Sequence, residues 1–197
     1  MNKVLNFLAH IYLSGEDQAI RTGNFIADAI RGNQLASYPL LVQKGIRLHR
    51  AIDAFTDQHP IVLQSTERLR ESQKKYAPVV VDIFYDHFLA KNWQNYHQED
   101  LYSYTQRFYE GIRQETHLPS KIQHLLPYMI RQNWLYNYRK ISAIKQVFAG
   151  MSKRTSFPSN LLEAPKMLEE YYEDFQQDFE AFFPEIILYV MDWLATD

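Results

Sequence analysis

Asparagine, aspartate and histidine recur in the first half of the chain at intervals of four, the spacing that stacks side chains on one face of a helix. Asn6 and His10 form one such pair, and Asn24 and Asp28 form a second, with Arg31 about one turn beyond Asp28. His49, Asp53 and Asp57 make a third row, with Arg50 beside it. A fourth segment, Asp82-Ile83-Phe84-Tyr85-Asp86-His87-Phe88, sets an adjacent Asp-His pair in a strongly apolar stretch. An unpaired charge is expensive there, and a buried partner or a metal would offset the cost. Singly, each group reads equally well as structural: a lone helical histidine satisfied in the core, or a solvated stripe with one ion pair. Together they offer three histidines and several carboxylates, a ligand set for one or two hard to borderline cations in a helical bundle. Such a centre suits hydrolysis of a phosphodiester, since a metal acidifies water and stabilises charge on phosphoryl oxygens without any serine or cysteine nucleophile.

The rest of the composition narrows the chemistry. There is no cysteine, which excludes disulfides, thiolate ligands and a thiol nucleophile, and leaves histidine and carboxylate as the metal-binding types. A Gly-rich phosphate loop and a Gly-x-Ser-x-Gly elbow are both missing, so nucleoside-triphosphate and α/β-hydrolase chemistries have no local support. With 21 basic and 23 acidic residues, the chain lacks the bulk charge of a nucleic-acid binder. Met1 to Leu13 is apolar but interrupted by Asn6 and His10, without a basic leader or a small-residue cleavage site. No run approaches the roughly 20 apolar residues of a membrane span, so the expectation is a soluble, cytoplasmic protein.

The elements that must position these groups read as helices throughout. Glycine is scarce, no short apolar-polar alternation recurs, and the breaks fall at prolines and capping residues. The expected fold class is all-α: one domain over residues 1–197, a helical bundle. The first helix runs from about Asn2 to Leu13. Ser14 caps a second that carries Ile20, Phe25, Ile26 and Ile30 and stops at Gly32. Pro39 opens a third that continues to the neighbourhood of Asp57, Pro60 starts the next, and Pro78 starts the helix ending near Trp93. Further helices cover Leu101 to Thr116, Lys121 to Asn137 with a kink at Pro127, and Ile141 to Ala149, with Gly150 as C-cap. A loop at Thr155 to Ser159 precedes a long aromatic and acidic helical pattern interrupted by Pro184.

The motifs in this order resemble the acyl-carrier-protein phosphodiesterase family. The resemblance is carried by Asn6 to His10, Gly23-Asn24 with Asp28, His49-Arg50 with Ile52-Asp53, and Asp86-His87-Phe88-Leu89 with Trp93. It continues more weakly through Trp134-Leu135, Tyr138, Gly150-Met151 and Arg154 to the C-terminal helix. It implies a manganese- or magnesium-dependent enzyme of lipid and fatty acid biosynthesis, which hydrolyses holo acyl carrier protein to the apo form and 4'-phosphopantetheine. It also implies kinship with HD-type metal phosphohydrolases, although the adjacent pair here is reversed, Asp86 before His87. On this basis His10, Asp28, His49, Asp86 and His87 form the ligand pool, with Asp53 either coordinating or orienting His49 and Asp57 as a weaker supporting carboxylate. Arg50 would neutralise a phosphate oxygen, and Asn24 or Asn6 would orient water or a ligand. A carrier protein is small and acidic, so a basic patch is expected near the site, from Arg68, Arg70, Lys74 and Lys75 or from Lys44 and Arg47. Tyr12, Phe55, Tyr85 and Trp93 either line a slot for the arm or, for most of them, fill the core. Two other functions share these residues: a metal phosphohydrolase acting on a nucleotide or other small phosphodiester, and a non-catalytic helical module whose polar row is a buried network.

Overall fold

A computed structural model describes residues 7–153 and 159–196. Asn6, Arg154 and most of the loop expected at Thr155 to Ser159 lie outside the described residues. Among those described, all regular structure is helical: α1 (Leu8–Leu13), α2 (Gln18–Ile26), α3 (Leu40–Gln58), α4 (Pro60–Gln73), α5 (Ala77–Lys91), α6 (Leu101–Arg113), α7 (Ser120–Arg131), α8 (Trp134–Asn137), α9 (Ile141–Ser152), α10 (Ala164–Glu170) and α11 (Tyr172–Thr196), joined by short 3₁₀ turns. The expected all-α class is what the chain adopts.

α5 is the central element. Twelve of its fifteen residues are buried, so its apolar content surrounds the helix instead of marking one stripe. α1, α4, α9 and α11 pack on it, and α11 also reaches α3 and α4, so the last helix closes over the first half of the chain. Phe175, Phe179, Phe182, Phe183, Ile186 and Val190 supply the buried stripe of α11, spaced by three and four residues.

Several boundaries differ from the sequence expectation, each for a local reason. The cap of α2 is Asp17, whose carboxylate accepts from the N–H groups of Ala19 and Ile20, while Ser14 turns back onto the carbonyl of His10. α2 ends at Ile26 and passes through a 3₁₀ turn at Ala27–Ala29, and Gly32 instead begins a second such turn. Lys121 to Asn137 is two helices, divided where Asn133 adopts a left-handed φ of 46°. Gly150 lies inside α9 and is not its cap. Pro184 does not stop α11: it and Glu180, four residues earlier, lie on the exposed face, while the flanking Phe182, Phe183 and Ile186 are buried and hold the helix in place. Pro127 likewise lies within α7.

Candidate active site

Two glycines decide where the chemistry sits. α2 and α3 run in close contact because Gly23 and Gly45 face each other's backbones. A Cβ at Gly23 would stand 2.0 Å from the carbonyl oxygen of Val42, and one at Gly45 would stand 2.1 Å from that of Ile20. Asn24 follows Gly23, and His49 lies one turn beyond Gly45, so this approach carries both into the same small volume.

His10 from α1 completes the group, stacking on His49 with ring centroids 4.1 Å apart. Asn24 is fully buried, and its Oδ1 lies 2.8 Å from His10 Nδ1 and 3.0 Å from His49 Nδ1. The orientation of the amide follows from its other contacts. Asn24 Nδ2 donates to the His10 carbonyl oxygen at 3.0 Å, which can only accept, and to Ser14 Oγ at 2.9 Å. Oδ1 is therefore the acceptor, and both imidazoles carry a hydrogen on Nδ1.

Both Nε2 atoms are thereby turned onto carboxylates. His10 Nε2 lies 3.5 Å from Asp53 Oδ1, while His49 Nε2 lies 3.4 Å from Asp28 Oδ1 and 3.5 Å from Asp53 Oδ2. His49 Nε2 is buried without a hydrogen-bond partner. A nitrogen lone pair and a carboxylate oxygen repel at this range, and a proton on Nε2 or a cation shared between the rings and the carboxylates relieves that repulsion. One ligand atom each from His10, His49 and Asp53 lies within 4.8 Å of the others. The residues thus fit a divalent metal, and the amide that fixes both rings is the kind of outer contact metal-binding histidines require.

The cluster opens into a cleft of about 340 Å³. His10, Asp28 and Asp53 line it, with Asp57 and Asp82 also on its wall. Leu13, Ile52, Val62, Val79, Phe182 and Ile186 make the apolar lining, and the exposed cations Arg70, Lys74 and Lys75 border it at the junction of α4 and α5. Tyr85 also lines the cleft, whereas Trp93 is buried against Tyr12 and Phe55 stacks on Tyr189. Arg70 also pairs with Glu67; of the other expected cations, Arg68 donates to Asp178 at 2.6 Å and Lys44 to the carbonyl of Leu194 at 3.2 Å, and neither lines the cleft. Arg47 donates to Gln43. Arg50 lies on the exposed face of α3, outside the cleft lining.

Asp86 and His87, expected in the ligand pool, are not brought to this cluster. Adjacent residues on a helix point about 100° apart, and on a helix buried on all sides they meet different neighbours. Asp86 is fully buried at the start of α1, accepting from the N–H of Ala9 at 2.8 Å and of Leu8 at 3.1 Å. Burial pushes its carboxyl up to about 7, against the opposing pull of those N–H groups. His87 Nδ1 lies 2.7 Å from the carbonyl of Tyr138, so it carries the hydrogen, and Nε2 is left to accept from the Tyr172 hydroxyl at 3.1 Å. With both ring nitrogens used, His87 is a tie between α5, α8 and α11, and burial lowers its pKa. Ser14, which steadies Asn24, was missed as a site residue because its partner lies ten residues away on another helix.

The family model for acyl carrier protein phosphodiesterase matches residues 5–186. Curated proteins named acyl carrier protein phosphodiesterase align over almost the whole chain. The one from Photorhabdus laumondii is 37% identical over 91% of this chain and 92% of its own length. Those from Serratia proteamaculans and Enterobacter are 31% and 30% identical, over 95% and 93% of this chain and 98% and 96% of their own lengths. No solved structure matches.

Proposed function

Since the chain belongs to the acyl carrier protein phosphodiesterase family, we propose that it hydrolyses holo acyl carrier protein to the apo form and 4'-phosphopantetheine, with a divalent metal held by His10, His49, Asp53 and Asp28. The observation that carries this reading is the pair of Nε2 atoms that Asn24 turns onto two carboxylates. Two imidazoles in the set favour manganese over magnesium, which prefers oxygen ligands. When bound, such an ion supplies Lewis acidity toward a phosphoryl oxygen and acidifies water.

The protein's own residues do the remaining work. Asn24 holds both rings in the required tautomer, and Asp28 and Asp53 provide the negative charge that retains a cation. The apolar walls of the cleft suit the non-reacting part of a flexible arm. Its volume of about 340 Å³ lies at the lower end of small-ligand sites, so it admits an arm and not the folded carrier. Arg70, Lys74 and Lys75 would then face the acidic carrier that remains outside. No helix among the described residues is long and apolar enough to cross a membrane, and none is needed for this role.

The direct test is mass spectrometry of holo acyl carrier protein incubated with the protein and manganese, then with excess chelator. A manganese-dependent loss of the phosphopantetheine mass is expected. An unchanged carrier would reject this substrate and turn attention to a small phosphodiester. Asp28→Ala and His49→Ala should each abolish turnover while helical circular dichroism persists; loss of fold with specific activity retained would contradict their role.

A further inference from the structure

The geometry points to Asp86 as a positioning residue: we infer that it sets the direction of His10 by holding the start of α1. The first N–H groups of a helix have no partner within the helix, and α1 is too short to be stable by itself. Its N-cap is Phe7, whose side chain offers no acceptor. Asp86 supplies two of the missing acceptors from 77 and 78 residues away, one carboxylate oxygen to each of two successive N–H groups. Two bonds from one rigid group fix the rotation of α1 about its axis as well as its position. His10 is the next residue after Ala9, so the same pair of bonds sets the direction of its ring. At the other end, Ser14 and Asn24 both bond the carbonyl of His10. α1 is therefore pinned on each side of the one residue it contributes to the cluster. A turn of one residue would carry His10 through about 100°, off Asn24 and away from Asp53. When ionised, Asp86 accepts with both oxygens and its charge complements the helix N-terminus, which offsets part of the cost of burying it. Asparagine would accept with one atom and oppose the other N–H with a donor.

The inference takes its readout from the metal-centre reading, and the experiment separates the two. Manganese is titrated into metal-free protein, with free ion followed by electron paramagnetic resonance. The parent is compared with Asp86→Asn and with Met129→Ala, a fully buried change in α7 that lowers stability in an element outside the main packing of α1, which is against α2 and α5. Asp86→Asn is expected to weaken binding about ten-fold or more, in the range seen when outer supports of metal ligands are removed, while Met129→Ala leaves it unchanged. Equal affinity in Asp86→Asn, or an equal loss in the control, would overturn the inference. Hydrogen exchange on the unaltered metal-free protein covers the case in which Asp86→Asn does not fold. The Leu8 and Ala9 amides should be protected as strongly as those of α5, and free exchange would overturn the inference. A parent that binds no manganese would reject the metal reading, and Asp86 would then stand or fall on that exchange alone.

Discussion

The Asn24 amide is shared by two imidazoles, a hydroxyl and a carbonyl, so its loss is felt at four atoms. Asn24→Ala should destabilise the protein by about 2–4 kcal/mol, the cost of several buried groups left unpaired. It should also weaken manganese binding by about ten-fold or more. Asn24→Asp keeps the acceptor for both rings but loses both donors, so it should recover affinity more fully than stability; thermal unfolding and calorimetric titration would separate the two. Asp86 makes a prediction of opposite character. Its folded pKa is raised from 3.8 to about 7 by burial, so the unfolded chain ionises first as pH rises. Its contribution is most favourable below about pH 4 and declines until about pH 7, by a few kcal/mol in total. Relative to Asp86→Asn, the metal-free parent should therefore lose stability across that window, whereas His87, whose pKa burial lowers, contributes the opposite trend equally in both proteins. An unchanged slope in the variant would remove Asp86 as the origin of that loss.

At the scale of elements, the α2–α3 contact is the joint on which the site depends. Gly45→Ala places a methyl group 2.1 Å from a backbone carbonyl, and backbone cannot step aside as a flexible side chain can. The helices must separate, at a cost of about 1–3 kcal/mol, the usual range for overpacking. The separation should draw His49 from Asn24, so activity should fall further than the drop in melting temperature explains. A Gly45→Ala protein with full activity would show that the joint tolerates slack. Helix placement was legible wherever proline began a helix, as at Pro60 and Pro78, because a missing N–H and a fixed φ are local properties. It was misread at Ser14, Gly150 and Pro184. Whether a hydroxyl caps or turns back, and whether a proline ends or merely bends a helix, depends on what is packed around it.

For the whole molecule, the arrangement of charge matters more than its sum. The net charge is only −2, yet Arg70, Lys74 and Lys75 gather beside a cleft lined by Asp28, Asp53, Asp57 and Asp82. Lys74 adds a useful coincidence: its backbone sits at φ 52° and ψ −126°, a conformation that glycine adopts without strain. Lys74→Gly should therefore stabilise the protein, by about 0.5–1 kcal/mol, while raising KM for carrier protein. Lys75→Glu should raise KM further, with the difference from the parent shrinking as salt is added. Unaltered steady-state kinetics in both would place the carrier elsewhere on the surface.

The amino-acid order alone determined that the chain is helical, that its polar residues lie in rows four apart, and which family it resembles, because periodicity, capping and motif order act over a few residues. It singled out His10, Asn24, Asp28, His49 and Asp53 by type and spacing. Only the tertiary structure decided that these five share one volume while Asp86 and His87 face other neighbours. That division follows from how α5 is buried. A helix surrounded on every side carries no periodic mark of which side is which, so the direction of each of its polar groups is set by whichever helix packs against it.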